Sequence, residues 1–202
     1  MKIGIVGTGL VGKTLATKLA EAGHELLVAN SRGPASVAES VGPTVTVTAA
    51  SVADAFACDV AFLAVPWIKV RDVLATNIPR EGGILVDTTN IFLSYPPNAR
   101  IDDLKGDSGS EIIARLAPKT FVVKAFGTLP FATMFAPHAE NVKRVLFVAG
   151  DDKAAVSTIS DLIAEIGLQP LALGSLAVAG RQMELGGPLS ALELLAPVKR
   201  EA

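Results

Sequence analysis

The segment Gly7–Gly12, which reads GTGLVG, has the glycine spacing of a dinucleotide-phosphate motif. It directly follows the apolar run Lys2–Val6 and precedes apolar residues at helical spacing. A strand, a glycine turn and a helix in this order present unpaired backbone N–H groups and the positive end of the helix dipole to an anion. Gly7 is expected to allow the tight turn, Gly9 the approach of a pyrophosphate, and Gly12 close packing of the helix on the strand. The sequence therefore predicts a pyrophosphate site, against the alternative of an ordinary glycine-rich turn.

The residues that follow the second apolar run, Glu25–Ala29, indicate which dinucleotide is preferred. NAD-binding chains usually place an acid here for the ribose 2′-hydroxyl, but this chain reads Asn30-Ser31-Arg32. No carboxylate there repels a 2′-phosphate, and a guanidinium beside a hydroxyl can bind one. This position predicts NADP(H), against the alternative of a solvent-facing arginine in a turn.

The rest of the chain alternates apolar runs with helical or irregular segments. This alternation predicts an α/β protein, a Rossmann-like doubly wound and mostly parallel sheet. A turn-rich stretch at 88–107 is expected to be a long loop at the edge of the site. Ser108 and Glu111 form a capping-box pattern before a helix at 109–117, and Asp151 or Asp152 caps a second helix that ends at Gly167. The further strands are predicted at Val45–Thr48, Val60–Leu63, Ile84–Val86, Phe121–Val123, Val145–Val148 and Gln169–Leu173.

The C-terminal part is too short for a separate substrate domain. We expect residues 1–202 to form a single NADP(H)-binding Rossmann domain, with 174–202 as a short C-terminal helical extension interrupted near Gly186, Gly187 and Pro188. Its apolar residues either cover the sheet or form a homodimer seam, and the sequence leaves both open. They are Met183, Leu185, Leu189, Leu192, Leu194 and Leu195.

Composition narrows the partners that this chain can have. The chain has 202 residues, 18 basic and 20 acidic residues and a formal net charge of −2, which predicts no nucleic-acid or acidic-membrane partner. Half of the residues are hydrophobic, but no apolar run approaches the ~20 residues of a spanning helix. Cys58 has no second cysteine for a disulfide, and the chain opens on a predicted strand, so a cytoplasmic location is expected.

No catalytic side chain and no metal site are predicted. Hydride transfer between a nicotinamide and a flat acceptor ring needs stacking at close range and no obligatory acid or base. His24 is expected to be structural and His138 is a weak candidate for substrate contact. Lys124, at a predicted strand end, could position phosphate or substrate, although a lysine there is more often exposed.

Several segments taken together resemble the NADPH-dependent deazaflavin (coenzyme F-420) oxidoreductase family, over nearly the whole chain. The chain also looks like the nucleotide domain of the six-transmembrane ferric reductases. The segments are Gly7–Gly12, Asn30–Gly33, Ala64–Trp67, Lys124–Thr128 and the region from Gly150–Asp152 to Gly174–Leu176.

This resemblance, with the expectation that ligands lie beyond the carboxyl ends of parallel strands, defines the predicted site. Trp67, Gly127 and Thr128 are the predicted substrate-binding residues, with plain core as the alternative for Trp67. Gly127 stands where the family would have a polar residue, which leaves the acceptor open. The predicted cofactor-binding residues are Gly7, Thr8, Gly9, Leu10, Val11, Gly12, Asn30, Ser31, Arg32, Ala64, Val65, Pro66, Thr89, Asn90, Ala125 and Phe126.

The resemblance implies an NADP(H)-dependent oxidoreductase that passes hydride between the nicotinamide and a deazaflavin or flavin-type small-molecule acceptor. Two alternatives stay open. One is a non-catalytic NADP(H)-binding redox sensor or partner subunit. The other is a small-carbonyl or imine reductase, although such enzymes usually carry a large helical substrate domain and a proton donor.

Overall fold

The computed structural model describes residues 1–42 and 45–198. Its main feature is a nine-stranded sheet with the order β10-β9-β8-β5-β4-β1-β2-β3, and β11 pairs with β9. The strands are Lys2–Val6 (β1), Glu25–Ala29 (β2), Thr48–Ala49 (β3), Val60–Leu63 (β4), Ile84–Asp87 (β5), Phe92–Ser94 (β6), Arg100–Ile101 (β7), Phe121–Lys124 (β8), Val142–Gly150 (β9), Gln169–Ala172 (β10) and Leu195–Pro197 (β11). The pair β6 and β7 forms a separate antiparallel hairpin.

Helices cover both faces of the sheet, as the mostly buried strands require. They are Leu10–Glu21 (α1), Ala35–Val41 (α2), Val52–Phe56 (α3), Trp67–Thr76 (α4), Gly109–Leu116 (α5), Phe131–Met134 (α6), Lys153–Glu165 (α7) and Arg181–Met183 (α8), with a π-helical turn at Leu176–Gly180. Apolar residues of α1, α2 and α7 pack on one face, and those of α3, α4 and α5 pack on the other. Alternate residues of β1 follow this division, with Ile3 and Ile5 in the first core and Val6 in the second.

The strand directions put the predicted binding segments at one edge. The strands β3, β2, β1, β4, β5 and β8 are parallel neighbours, so their carboxyl ends lie together. The strand order reverses between β1 and β4, the position at which doubly wound sheets bind ligands. The α/β, Rossmann-like, mostly parallel architecture predicted from the sequence is confirmed. In the part of the chain that the structure describes, the antiparallel pairs of this sheet are β8 with β9 and β9 with β11.

Two local expectations in the first half of the chain differ from the structure. The predicted strand Val45–Thr48 is only Thr48–Ala49, because this edge strand pairs with just two residues of β2, while Val45 and Val47 pack against the core. The stretch 88–107 is not one loop, since it contains the hairpin of β6 and β7.

The C-terminal extension is helical only over 176–183. The chain then turns, and β11 pairs with the first three residues of β9. These three residues precede the part of β9 that pairs with β10. Met183 is buried, while Leu192, Leu194 and Leu195 are exposed, so the apolar set does not act as one unit. Residues 199–202 of the expected domain and extension lie outside the described residues.

Candidate dinucleotide-binding site

Two of the three motif glycines are required by the backbone itself. Gly7 has φ of +111°, and a Cβ there would lie 2.1 Å from the carbonyl oxygen of Ala64. A Cβ on Gly12 would lie 1.9 Å from the carbonyl oxygen of Gly7. Both distances are far below any real contact, so these positions exclude a side chain for reasons internal to the fold.

Gly9 is different, because the protein leaves the space beside it open. Apart from its two chain neighbours, no atom of the described residues lies within 4 Å of the position that its Cβ would take. Gly9 is also the residue that caps the 12-residue helix α1, without a side-chain cap. The first four N–H groups of a helix have no partner within it, and in α1 they begin at Gly9, beside that open space. A pyrophosphate fits a surface with free donors and no Cβ.

Asn30 connects the glycine turn to the loop after β2. Its Nδ2 donates to Thr8 Oγ1 at 2.9 Å, and its Oδ1 accepts from Arg32 N and Ser36 Oγ, both at 2.9 Å. The side chain is thus engaged in holding the two loops, and it positions Arg32 rather than offering a free amide to a ligand.

A cavity of about 450 Å³ lies between the glycine turn and the loop after β4. Arg32 lies on its wall beside Ser31, and Lys69 of α4 adds a second cation. No acidic side chain lines it among the described residues. Two cations without a carboxylate suit a 2′-phosphate. Arg32 donates to Ser40 Oγ at 2.7 Å, which uses one of its five N–H groups.

Lys69 was not predicted from the sequence. It lies three residues after Pro66, in the first turn of α4, and that spacing brings it back to the loop before the helix. This spacing is the signal that could have identified it.

A second cavity, of about 350 Å³, lies on the other side of the same loop. It shares Gly9 and the segment 64–66 with the first cavity, so the two form neighbouring parts of one groove along the carboxyl ends of β1, β4 and β5. Its other lining residues are Leu10, Val11, Thr88, Thr89, Asn90, Phe92 and Tyr95. Phe92 and Tyr95 were not predicted as site residues. Thirteen of the sixteen predicted cofactor residues line one of the two cavities, and Gly12, Ala125 and Phe126 do not.

A buried charge network lies beneath the second cavity. Lys124 is fully buried and donates to Thr89 O at 2.7 Å and to Asp87 Oδ2 at 3.1 Å. Asp87 Oδ1 accepts from the backbone N–H and the hydroxyl of Thr89 at 2.8 and 2.7 Å, and its Oδ2 accepts from Ser110 Oγ at 2.5 Å. Lys124 therefore fixes the turn of 88–90, which lines the cavity. Its burial overturns the expectation that a strand-end lysine is more often exposed.

Glu184 brings the C-terminal extension to the same network. Its Oε1 lies 3.7 Å from Lys124 Nζ and accepts from Gly109 N at 2.8 Å. Burial raises the pKa of Glu184, and the charge of Lys124 only partly opposes this. Burial alone would lower the pKa of Lys124, but the charges of Asp87 and Glu184 outweigh it and the pKa is raised. Asp87, Ser110 and Glu184 were not identified from the sequence, since nothing in their spacing links three distant segments.

Three buried polar atoms near this end of the groove have no hydrogen-bond partner among the described residues. They are Asn90 Oδ1, Thr128 Oγ1 and Glu184 Oε2. A buried acceptor without a donor is costly, which makes such atoms candidates for contact with a ligand. Asn90 Oδ1 is the one whose residue lines the second cavity.

The segment 125–128 is placed beneath the site rather than in its wall. All four residues are buried, and none lines either cavity. Phe126 has φ of +63° and packs edge-on against Phe62 in the core, with 5.9 Å between ring centroids. A Cβ on Gly127 would lie 3.3 Å from Thr89 O and 3.4 Å from Lys124 Cε, so a side chain there would press on the network.

Trp67 also lies outside the cavities. It is 1% exposed in the core, and its Nε1 donates to Asp102 Oδ2 at 2.7 Å. The structure gives it no surface for direct substrate contact, because α4 begins with this residue and turns it inward against α5. His24 pairs with Glu165, and His138 is exposed away from both cavities.

The sheet order, the glycine turn and the groove define a Rossmann-type dinucleotide-binding protein. Residues 2–91 match the family described as NADP oxidoreductase coenzyme F420-dependent. This match covers the first 45% of the chain, and over these residues it confirms the resemblance drawn from the motifs.

Individual relatives extend the likeness to the rest of the chain. It is 31% identical over 183 residues to metalloreductase STEAP3 of Rattus norvegicus, and this match covers 91% of the chain but only 36% of that relative. A hypothetical protein of Sinorhizobium meliloti is 37% identical, with a TM-score of 0.84 over 97% of this chain and 96% of that one. A putative F420-dependent NADP-reductase of Arthrobacter sp. FB24 is 28% identical, with a TM-score of 0.74 over 91% and 89%. In the described residues, no helix combines the length and the apolar character needed to cross a membrane.

Proposed function

We propose that the chain binds NADP(H) along the groove and passes hydride between the nicotinamide and a deazaflavin or flavin-type acceptor. The observation that carries this proposal is the groove itself, which joins a cationic cavity without acids to an open glycine turn and a second cavity with aromatic walls. The family match and the similarity to a putative F420-dependent NADP-reductase support it.

The residues that would hold NADP(H) follow from the geometry. The free N–H groups at the start of α1 receive the pyrophosphate beside Gly9. Arg32, Ser31 and Lys69 receive the 2′-phosphate. This arrangement directs the nicotinamide to the second cavity, where Asn90 Oδ1 can accept an N–H of its carboxamide.

Bound NADPH supplies a hydride, with both electrons of the C–H bond, to a ring atom of the acceptor; NADP+ remains, and the reduced ring takes one proton from water. The chain itself orients the two partners. Lys124 and Asp87 fix the turn of 88–90 from below, and the loop 64–66 lies between the first cavity and the second, where the nicotinamide would meet the acceptor. For this chemistry the protein has to orient the two rings, and it does not have to supply an acid or a base.

Residues 1–202 are proposed to act as one NADP(H)-binding domain, and 174–202 contributes Glu184 to the network below the site. A small-molecule acceptor as partner and a cytoplasmic location stay predictions from the sequence. So does a homodimer built on the exposed leucines of the extension.

Anaerobic stopped-flow oxidation of NADPH tests the activity, with a deazaflavin, FMN, FAD and ferric chelates offered separately. We expect rapid, saturable turnover with a deazaflavin or flavin. A control with NADH in place of NADPH measures how far the 2′-phosphate contributes. Tight NADPH binding without turnover on any of these acceptors would contradict the proposal in favour of a redox sensor, and turnover on small carbonyls or imines alone would favour the other alternative.

A further inference from the structure

The hairpin formed by β6 and β7, residues 92–101, carries two aromatic side chains into the second cavity. The rings of Phe92 and Tyr95 lie 5.0 Å apart between centroids with an angle of 36° between their planes. Both line the cavity that also contains Thr88, Thr89 and Asn90. We refer to residues 92–101 as the aromatic hairpin.

The aromatic hairpin is firmly held at its base. Asp102 follows it directly, donates its N–H to Ile91 O at 2.9 Å, and accepts from the buried Trp67 indole at 2.7 Å. Within the hairpin, Ser94 Oγ donates to Asn98 O at 2.6 Å. Two connections at the base therefore fix the direction of the hairpin relative to α4 and β5.

The aromatic surface itself is open. Tyr95 is 59% exposed, and across the cavity Leu10, the first residue of α1, is 70% exposed. An exposed aromatic ring and an exposed leucine that line the same cavity leave apolar surface in water, which is unfavourable until a flat, apolar group covers it. The surface adjoins the nicotinamide end of the proposed dinucleotide groove.

We propose that Phe92 and Tyr95 form the contact surface for the ring of the hydride acceptor. The acceptor class that fits is a fused planar heteroaromatic, such as an isoalloxazine or its 5-deaza analogue, because it can lie against aromatic side chains on one face while its other face meets the nicotinamide. A ferric chelate or a small carbonyl lacks the ring area to use this surface. This inference rests on the proposed function, since it presupposes an acceptor next to the nicotinamide.

Fluorescence titration of FMN and of 5-deazariboflavin, each with saturating NADP+ present, tests this surface directly. The Tyr95→Leu and Phe92→Leu variants should raise the Kd of both ligands about threefold to tenfold. Tyr95→Phe keeps the ring and should stay near the wild-type value. The Kd of NADP+ should change less than the Kd of the acceptor in each of these variants, because only the nicotinamide end of the dinucleotide reaches this cavity.

Leu93→Ala is the matched control. Leu93 lies between the two aromatic residues in sequence, is 37% exposed, and does not line the cavity. An unchanged acceptor Kd in Tyr95→Leu and Phe92→Leu, or an equal loss in Leu93→Ala, would overturn the inference while leaving the proposed function intact if the wild type still turns over. Failure of the wild type to bind either ligand, with NADP+ binding preserved, would overturn the acceptor part of the proposed function and this inference together.

Discussion

The three motif glycines serve two separable purposes at the level of single residues. Gly7 and Gly12 are needed because neighbouring backbone leaves no room for a Cβ. A Cβ at Gly9 would meet no described atom beyond the two chain neighbours, so packing does not require glycine there, whereas close approach of a ligand would. The same sequence motif thus combines structural and ligand-binding requirements that substitution can distinguish.

Gly12→Ala is expected to lower the stability of the protein, and Gly9→Ala is expected to weaken NADPH binding. A methyl at position 12 collides with Gly7 O, so the Tm of the free protein should fall by several degrees. A methyl at position 9 meets no protein atom, and φ of −69° suits alanine, so Tm should stay near wild type while the Kd of NADPH rises about tenfold or more. Thermal unfolding with and without NADPH measures both. A lower Tm of Gly9→Ala, with the affinity for NADPH retained, would contradict the assignment of the pyrophosphate to this turn.

Arg32 and Lys69 should discriminate between the two dinucleotides. Arg32→Ala is expected to weaken NADPH roughly tenfold, because a charge-assisted contact to the 2′-phosphate is lost, and to change NADH little. Lys69→Ala should act in the same direction with a smaller effect, since the exposed Lys69 ammonium also lies 3.7 Å from the carboxylate of Asp72. Lys153→Ala, an exposed lysine of α7 that lines neither cavity, serves as the control. Equal losses for NADPH and NADH would show that these residues do not read the 2′-phosphate.

At the level of elements, local patterns predicted the strands with long apolar runs. The strand Val60–Leu63 is confirmed at its predicted bounds, and β5 and β8 each extend one residue further, because burial on both faces gives an unmistakable apolar run. The capping box of Ser108 and Glu111 is present at the start of α5. The glycine turn and the segment 64–66 line the two cavities, and their part in cofactor binding stays a prediction.

Local patterns did not predict the contacts between residues that are far apart in the sequence. The aromatic hairpin reads as loop because its strands have only three and two residues, and Tyr95 stands in a proline-rich turn. The sequence favours an exposed Lys124 because its partners Asp87 and Glu184 lie 37 and 60 positions away along the chain. Tertiary contacts of this range leave no signal in a single sequence.

Trp67 is expected to act through the aromatic hairpin rather than by touching substrate. Trp67→Phe keeps an aromatic ring in the core but removes the N–H that Asp102 accepts, so the base of the hairpin loses one of its connections. The Kd of FMN with NADP+ bound should rise, and the Kd of NADP+ should stay unchanged. Asp102→Asn should give a smaller rise, since its side-chain oxygen can still accept. An effect on NADP+ equal to that on FMN would indicate general destabilisation instead.

The network below the second cavity is expected to stabilise the fold as well as to position the turn of 88–90. Lys124→Met leaves Asp87 and Glu184 buried without their cation, and breaking a buried pair in this way costs about 3–5 kcal/mol. Urea unfolding should show the loss. The double variant Lys124→Met with Glu184→Gln should recover part of it, because one of the two buried charges is then gone. A Lys124→Met variant with wild-type stability would show that the network is not formed in solution.

At the scale of the whole molecule, this network connects the C-terminal extension to the central sheet. The sheet contributes Asp87 and Lys124, α5 contributes the N–H of Gly109, and the C-terminal extension contributes Glu184. A second connection runs from Ala191 N to Thr128 O at 2.7 Å. These contacts hold the extension to the carboxyl ends of the strands at the site. We therefore expect protonation of Glu184 to affect both the attachment of the extension and the stability of the whole chain.

Glu184→Gln should change how the stability of the entire chain depends on pH. Burial raises the pKa of Glu184 above its ordinary 4.5, so between these two values the folded chain binds more protons than the unfolded chain. The free energy of unfolding of the wild type should therefore fall as pH rises from about 4.5 through the raised pKa, relative to Glu184→Gln, which has no proton to release there. Lys124 does not disturb this comparison, because its raised pKa affects stability only above its ordinary 10.5.

Urea unfolding of both proteins at several pH values between 4.5 and 8 measures the difference. Glu193→Gln is the matched control, since Glu193 lies in the same extension but is 42% exposed in its pair with Arg144. We expect the stability of Glu184→Gln relative to wild type to increase with pH and that of Glu193→Gln to show no such trend. Parallel pH profiles for wild type and Glu184→Gln would mean that this carboxyl is not buried beside Lys124, and the extension would then be attached to the site by other contacts.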